Sequence, residues 1–248
     1  MWSAFWHTIF YDPIYNSLVF FIDIVPYGDV GISIVLTTVL VKFVLLPLSL
    51  RAARTQLAMR ELEPKLKKIK EKLKDNREAF ARATMEAYKK AGVNPFSSIL
   101  LLLIQIPIVI ALYLAVSGRG GASLPEINTD LLYSFVPVPE QVSMIFLSII
   151  DIVERNLPLA ALAGITQYIQ TTLVLPKPQP REKNAEPNFK EDLARSMHLQ
   201  MRYVMPIIIF VVAYTISAAI ALYFTVSNIL AIAQEYYIRH RGLRHNGE

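Results

Sequence analysis

Four apolar blocks divide the chain, and their lengths set the elements. Gly31–Leu50 (GISIVLTTVLVKFVLLPLSL) has about twenty residues, the length that crosses a bilayer core of roughly 30 Å. Residues 97–117 and 157–176 form two further blocks of that kind, with Pro176 closing the second. Tyr203–Ile238 is almost continuously apolar over about 36 residues, and one helix of that length would run roughly 54 Å. It therefore predicts two spans with a tight reversal at Thr215-Ile216-Ser217-Ala218. The expected fold is an all-α polytopic membrane protein with five transmembrane helices: 31–50, 97–117, 157–176, 203–216 and 218–238. Pro47 and Pro107 lie inside blocks, where a spanning helix tolerates a kink.

Between the blocks the pattern changes. Residues 1–30 carry no Lys or Arg but hold Trp2, Phe5, Trp6, Phe10, Tyr11 and Tyr15, aromatics of the kind that settle at a membrane–water interface. Leu18–Val25 is too short to span and contains Asp23. The segment reads as one or two interfacial amphipathic helices, broken near Pro13 and at Pro26–Gly28. A helix packed on the outer face of the bundle fits equally well. Without a basic leading stretch, it is not a standard cleaved signal peptide. Across 51–96, Leu62, Leu66, Ile69 and Leu73 recur at helical spacing, and Phe80, Thr84, Ala87 and Tyr88 form a second stripe. With a break at Asp75-Asn76, this is a polar helical hairpin whose first arm Pro64 kinks or restarts. Gly92-Val93-Asn94-Pro95 closes it, with residue types suited to ending one helix and opening the next. Residues 118–156 read as an external loop containing Gly118-Arg119-Gly120-Gly121. Within it Met144–Ile150 is apolar but too short to span, and is expected to be a short helix on the outer face. Residues 177–202 begin Pro-rich and polar, as a linker does, and 239–248 is a short basic tail.

Charge orients the spans. In 51–96 the basic residues outnumber the acids heavily, from Arg51, Arg54 and Arg60 through Lys65–Lys74 to Lys89 and Lys90. Residues 177–202 and the tail lean the same way. Placing all three inside leaves only Arg119 and Arg155 outside, so the N-terminus is out and the C-terminus in. The hairpin could contact anionic headgroups, ribosomal RNA or a protein, or be simply a solvated cytoplasmic element.

Composition removes several kinds of chemistry. The chain has no cysteine, which excludes disulfides, thiolate metal sites, cysteine nucleophiles and a lipidated cysteine. His7, His198, His240 and His245 lack ligand spacing. The glycine tract at 118–121 lacks the Lys-Ser/Thr of a phosphate loop. No Ser/His or Asp/Asp set occurs in the spans. Neither a cofactor, a metal nor an enzymatic activity is expected. The basic hairpin shows no RNA-module signature, so sequence-specific nucleic-acid recognition is not expected either.

The candidate chemistry centres on Lys42. Its Cα lies roughly 13 Å from Arg51 along the helix at about 1.5 Å per residue. A charge at such depth costs ~3 kcal/mol on insertion scales, so it needs water, a polar partner or a route to the headgroups by snorkelling. Thr38, one turn earlier, continues a polar face. With Gln105, Gln167, Gln170, Ser227 and Asn228 it could line and hydrate a cavity. A lone Gln105 is otherwise an interhelical hydrogen bond. A small transporter or channel would show the same intramembrane polarity, although no inverted repeat or paired acids are visible. A membrane chaperone or assembly scaffold would not need Lys42 charged.

Several motifs then coincide. DVGISIVLTTVLVKFVLLPL resembles the first core span of the YidC/Oxa/Alb membrane protein insertases. MRELEPKLKKIKEKLKDN and AYKKAGVNPFSSILLLLIQIPIVIALY are similar to their cytoplasmic hairpin and second core span. MPIIIFVV and IALYFTVSNILAIAQEYYI resemble their last two. The resemblance runs through essentially the whole chain, and GVNP, IQIPI and LYFTVSN together make it specific. It implies a hydrophilic groove, open to the cytoplasm and lipid and closed outside, with a basic residue in the first core span. Lys42 matches that position, where most bacterial members have arginine, so the bidentate fork is lost while the charge stays. The family's tyrosine pair in the last span is matched by Tyr223 and Phe224. The implied partners are nascent membrane proteins, the lipid bilayer, the Sec translocon for larger clients, and the ribosome and signal recognition particle receptor as contacts of the hairpin. The implied location is the bacterial plasma (inner) membrane. The resemblance implies a minimal core, without the large external domain of many Gram-negative members.

Overall fold

Prolines and short polar side chains set the helix starts. The computed structural model describes residues 2–73, 76–92, 97–117, 124–174 and 199–245. Asp29 Oδ1 accepts from the Ile32 amide at the head of α3 (Val30–Val44), at 3.0 Å. Asn76 does the same for α5 (Arg77–Lys90) through the Ala79 amide, and Asn156 for α7 (Leu157–Val174) through Leu159. Such caps satisfy amides that have no partner within their own helix. Pro13, Pro47 and Pro206 sit in the first turns of α2 (Asp12–Ile24), α4 (Leu46–Lys72) and α8 (Met205–Ile216), where a missing amide hydrogen costs nothing. α1 (Trp2–Trp6), α6 (Ser97–Ser117) and α9 (Ala218–His245) are the remaining α-helices among the described residues.

Several elements differ from the sequence expectation. The N-terminal segment does not break near Pro13. A π-helical turn, His7–Tyr11, joins α1 to α2, with the Asp12 amide bonded to the His7 carbonyl five residues back. The break at Pro26–Gly28 is present, as a 3-10 turn with Tyr27 and Gly28 at φ 60° and 61°. The block Gly31–Leu50 is two helices separated at Leu45. Pro47 has no amide to offer and its ring crowds the carbonyl four residues back, so the chain breaks just upstream of it. α4 then continues past Leu50 and through Pro64 without a break. Met144–Ile150 is not a helix. β1 (Ile145–Phe146) pairs antiparallel with β2 (Ile150–Asp151), Ile145 opposite Asp151 and Phe146 opposite Ile150. The segment is rich in Ile with a Phe, residues that suit a strand, and seven residues are too few to hold a helix by themselves.

The contacts divide the chain into two units: residues 1–44 with 105–233, and residues 45–104 with 234–248. In the first, α2 packs on α3, burying Ile14, Tyr15, Leu18, Val19 and Ile22 of the one and Val30 and Ile34 of the other. A second cluster joins α7, α8 and α9 through Ala160, Ala163, Ile209, Ala213 and Ala221, with Leu159, Phe210 and Phe224 against it. A methyl on Gly164 would sit 3.0 Å from the Phe210 Cβ. Small residues let these backbones approach, which is how helices pack where burial from water gives no drive. Ser217 is extended and ends α8, so α9 starts afresh at Ala218.

Loop 124–156 ties the helix starts of this unit together. Ser143 accepts from the Val30 amide and donates its own to Gly28 O. Asp29 Oδ2 accepts from the Leu147 amide at 2.8 Å. The carbonyls of Glu154 and Ile152 cap Ala218 and Ala219 at the head of α9. On α2, Asn16 donates to Leu131 O at 2.8 Å and accepts from the Tyr133 amide, while the Tyr15 hydroxyl accepts from the Asn128 amide.

In the second unit α4 packs on α5. Ser49 Oγ donates to Gln234 Oε1 at 2.9 Å, tying the starts of α4 and the distal part of α9. The exposed pairs Arg82–Glu78 and Lys90–Glu86 lie four residues apart on α5 and add little stability. Asp75, Val93–Pro95, Gly118–Gly121, Pro176 and the linker over 177–198 lie outside the described residues.

Among the described residues the protein is thus mostly helical with one short hairpin, consistent with an all-α membrane protein. Among the described residues, Ala218–Arg239 is long and apolar enough to cross a membrane. Val30–Val44 with Leu46–Met59 passes as a second if the pair is one broken span, and Leu103–Ser117 and Gln200–Ile216 are shorter apolar helices.

Candidate functional site

The polar residues inside the apolar helices fall into separate groups. Lys42 lies near the end of α3 and is half-buried. It makes no hydrogen bond or ion pair with the described residues. Its neighbours Phe43 and Val44 are largely exposed. Thr38, one turn back, is buried, and its hydroxyl donates to Ile34 O of its own helix at 2.7 Å. No hydrogen bond joins Lys42 or Thr38 to the other candidates among the described residues.

A second group bridges α6 and α9. Gln105 Nε2 donates to Ser227 Oγ at 3.2 Å. The Tyr223 hydroxyl lies within hydrogen-bonding reach of both side chains. Ser227 and Tyr223 are almost fully buried and Gln105 partly so. Phe224 turns the other way: its ring packs on the Ala160–Ala163–Ala213 cluster and meets the Tyr223 ring edge-on, centroids 5.5 Å apart. The hydroxyl of Tyr223 is thus the polar member of that pair, and Phe224 is packing.

A third group ties α9 to α7. Asn228 Nδ2 donates to Ala163 O at 3.4 Å and to Thr166 Oγ1 at 3.3 Å. Further along α7, Gln167 Nε2 donates to Gln170 Oε1 at 3.4 Å, and both side chains are half-buried. These bonds are long, at the weak end of hydrogen-bond geometry.

Two groups were missed by sequence reasoning. Thr37 and Thr225 are buried with no hydrogen-bond partner for their hydroxyls among the described residues. An unpartnered hydroxyl at such a site is a place for water. The clasp of Asp29, Asn16 and Tyr15 was also unseen. Its one legible signal was an aspartate directly before an apolar helix, the place of an N-cap.

Comparison with known proteins supplies the family. The family described as "60Kd inner membrane protein" matches residues 21–245. Among curated relatives, "Membrane protein insertase YidC" of Methylobacillus flagellatus is 34% identical over 208 residues, which is 84% of this chain and 32% of that protein. The protein of the same name from Fusobacterium nucleatum is 29% identical, with 87% of this chain and 88% of that protein covered. That of Oceanobacillus iheyensis is 30% identical over 95% of this chain and 84% of its own length. The chain thus spans about a third of the Methylobacillus relative and most of the other two. A match that runs from within α2 to the end of α9, taking in Lys42 and the polar groups of α6, α7 and α9, makes this chain a member of the 60Kd inner membrane protein family, the YidC/Oxa/Alb group.

Proposed function

We propose that this protein is an energy-independent membrane protein insertase with five spans, its N-terminus outside and its C-terminus in the cytoplasm. The spans are 31–50, 97–117, 157–176, 203–216 and 218–238. Residues 51–96 form a basic cytoplasmic hairpin, 118–156 the external loop, 177–202 a cytoplasmic linker and 239–248 a basic cytoplasmic tail. Family membership supports the class of activity. The observation that carries the mechanism is Lys42, a half-buried cation in an apolar helix with no acidic partner among the described residues.

A hydrophilic N-tail or short loop of a nascent membrane protein must cross a low-dielectric layer. A wet groove part-way across shortens that path. A carboxylate of the passenger 4 Å from Lys42 gains about 4 kcal/mol at an effective dielectric of about 20, comparable with what holding the lysine at depth costs. The attraction needs no fixed geometry, so varied clients are accepted. Thr38, Gln105, Gln167, Gln170, Tyr223, Ser227 and Asn228 line and hydrate the groove, with Phe224 on its apolar side. The passenger's apolar segment leaves sideways into lipid. Simple clients need the protein alone. Larger ones use the Sec translocon, and the basic hairpin meets the ribosome or the signal recognition particle receptor.

The test is insertion of a small client with an acidic N-tail into proteoliposomes by wild type, Lys42→Arg, Lys42→Ala and Lys42→Glu. Arg should keep insertion, while Ala and Glu should lose it at least tenfold. Equal insertion by all four removes Lys42 from the mechanism. No insertion by wild type above empty liposomes removes the insertase reading, and ion flux through the same vesicles then tests a channel.

A further inference from the structure

The tip of the loop hairpin is built unlike an ordinary turn. From Val142 to Ile150 nine residues run without a charge, and Glu140 and Asp151 flank them. Leu147 and Ser148 both have positive φ, 51° and 60°, the region that Gly, Asn and Asp occupy most cheaply. A leucine held there bears strain. That side chain packs on little: Leu147 is 56% exposed and Ile149 81%. On the segment hydrogen-bonded beside it, Tyr27 is also at positive φ and is 83% exposed.

The amides of this tip are bonded within the protein. The Leu147 amide donates to Asp29 Oδ2, Ser148 to Ile145 O and Ile149 to Phe146 O. Asp29 is buried and gives its second carboxylate oxygen to this one amide. Internal satisfaction of amides lowers the cost for a segment to enter a low-dielectric medium.

The hairpin also has a fixed height. Phe146 lies against Gly31, where any Cβ would come within 2.4 Å of its ring, and Ser143 caps Val30. It is therefore pinned to the first turn of α3, the outer end of the first span in the topology proposed above. An uncharged tip at that level, with exposed Leu147 and Ile149 and its amides bonded, bordered by carboxylates that stay in water, faces the boundary between headgroups and acyl chains. We propose that the Ile145–Asp151 hairpin dips into the outer leaflet, with Leu147 and Ile149 in lipid and Tyr27 at the headgroups beside them. This rests on the spanning topology proposed above.

The absence of cysteine makes the test clean, since one introduced thiol is the only one in these 248 residues. Ile149→Cys, Phe43→Cys and Glu140→Cys are each spin-labelled in the full chain and reconstituted in phosphatidylethanolamine/phosphatidylglycerol vesicles. Collision with oxygen, which enriches in lipid, is compared with collision with a water-soluble nickel chelate. Phe43, 71% exposed on α3, is the lipid reference and Glu140 the water reference. The label at 149 should favour oxygen several-fold, as at 43, with the reverse at 140. Nickel access at 149 equal to that at 140, while 43 remains in lipid, overturns the finger and leaves the topology standing. Exclusion of both relaxants at 149 means that a second protein surface covers the tip, which also overturns it. Nickel access at 43 refutes the topology and the finger together.

Discussion

Asp29→Ala tests the clasp between α3 and loop 124–156. The carboxylate serves two amides at once, Ile32 at 3.0 Å and Leu147 at 2.8 Å, from a position that is 6% exposed. Removing an N-cap costs about 1 kcal/mol, and losing a buried hydrogen bond to a charged group about 1.5–3 kcal/mol. Together the loss is about 2.5–4 kcal/mol. At roughly 2–4 °C per kcal/mol for a chain of this size, unfolding should come about 5–16 °C earlier. Asp29→Asn keeps one carbonyl oxygen for Ile32 and turns an NH₂ toward the Leu147 amide, two donors facing each other. It should therefore fall short of wild type by most of the same amount. The assay is thermal unfolding in mild detergent, followed by tryptophan emission, with scan rate held constant because membrane proteins rarely unfold reversibly. If both variants unfold within a degree of wild type, the carboxylate is not bonded as described. If Asn matches wild type while Ala does not, only the cap on Ile32 matters and the link to the hairpin is wrong.

Gly31→Ala would push a methyl into the Phe146 ring, so expression or thermal stability should drop sharply, and adding Phe146→Ala should restore part of it, as read by the same unfolding assay. Asn228→Ala removes two long bonds to α7, worth ~0.6 kcal/mol each in a membrane setting, so stability should change by about 1 kcal/mol while insertion in proteoliposomes falls further if the side chain serves the groove. Burial raises the Tyr15 phenol above its ordinary value, more than its bond from the Asn128 amide lowers it. The folded protein then holds this proton more tightly than the unfolded chain, so its stabilisation is full below pH about 10 and is lost as pH rises through the folded value. Tyr15→Phe should flatten that alkaline decline in pH-dependent melts, and an unchanged slope would remove Tyr15 as its source.

The helical elements were largely legible because apolar length and punctuation are local properties. The helix break within Tyr203–Ile238 lies at Ser217, inside the small polar cluster that the sequence offered. Asn76 caps α5 beside the expected break. Pro47 was legible as a perturbation but not as a break, because whether a proline kinks or ends a helix depends on its surroundings. The hairpin at Ile145–Asp151 was illegible for a related reason: a short apolar run has no period of its own, and its fold is set by Asp29, over a hundred residues away. The polar candidates were found by type, but their pairings were not. Gln105 with Ser227, and Asn228 with Thr166, depend on how helices rotate against one another. Lys42 stands apart in both readings, conspicuous in the sequence and without a bonded partner among the described residues.

The link between Asp29 and Leu147 also bears on the order of events during synthesis. The two residues are 118 positions apart. At about 5–20 residues per second, the amide emerges about 6–24 s after its acceptor. The head of α3 must wait through that interval with its carboxylate only half used, while the four helices α3 to α6 are made. The start of α9 comes later still, and its caps, Ile152 and Glu154, lie just beyond the hairpin in the chain. The loop therefore closes the molecule in two steps, first backward onto α3 and then forward onto α9. A nascent copy halted between those steps has one end fastened and the other open, so the loop acts as a clock for its own assembly as well as a brace.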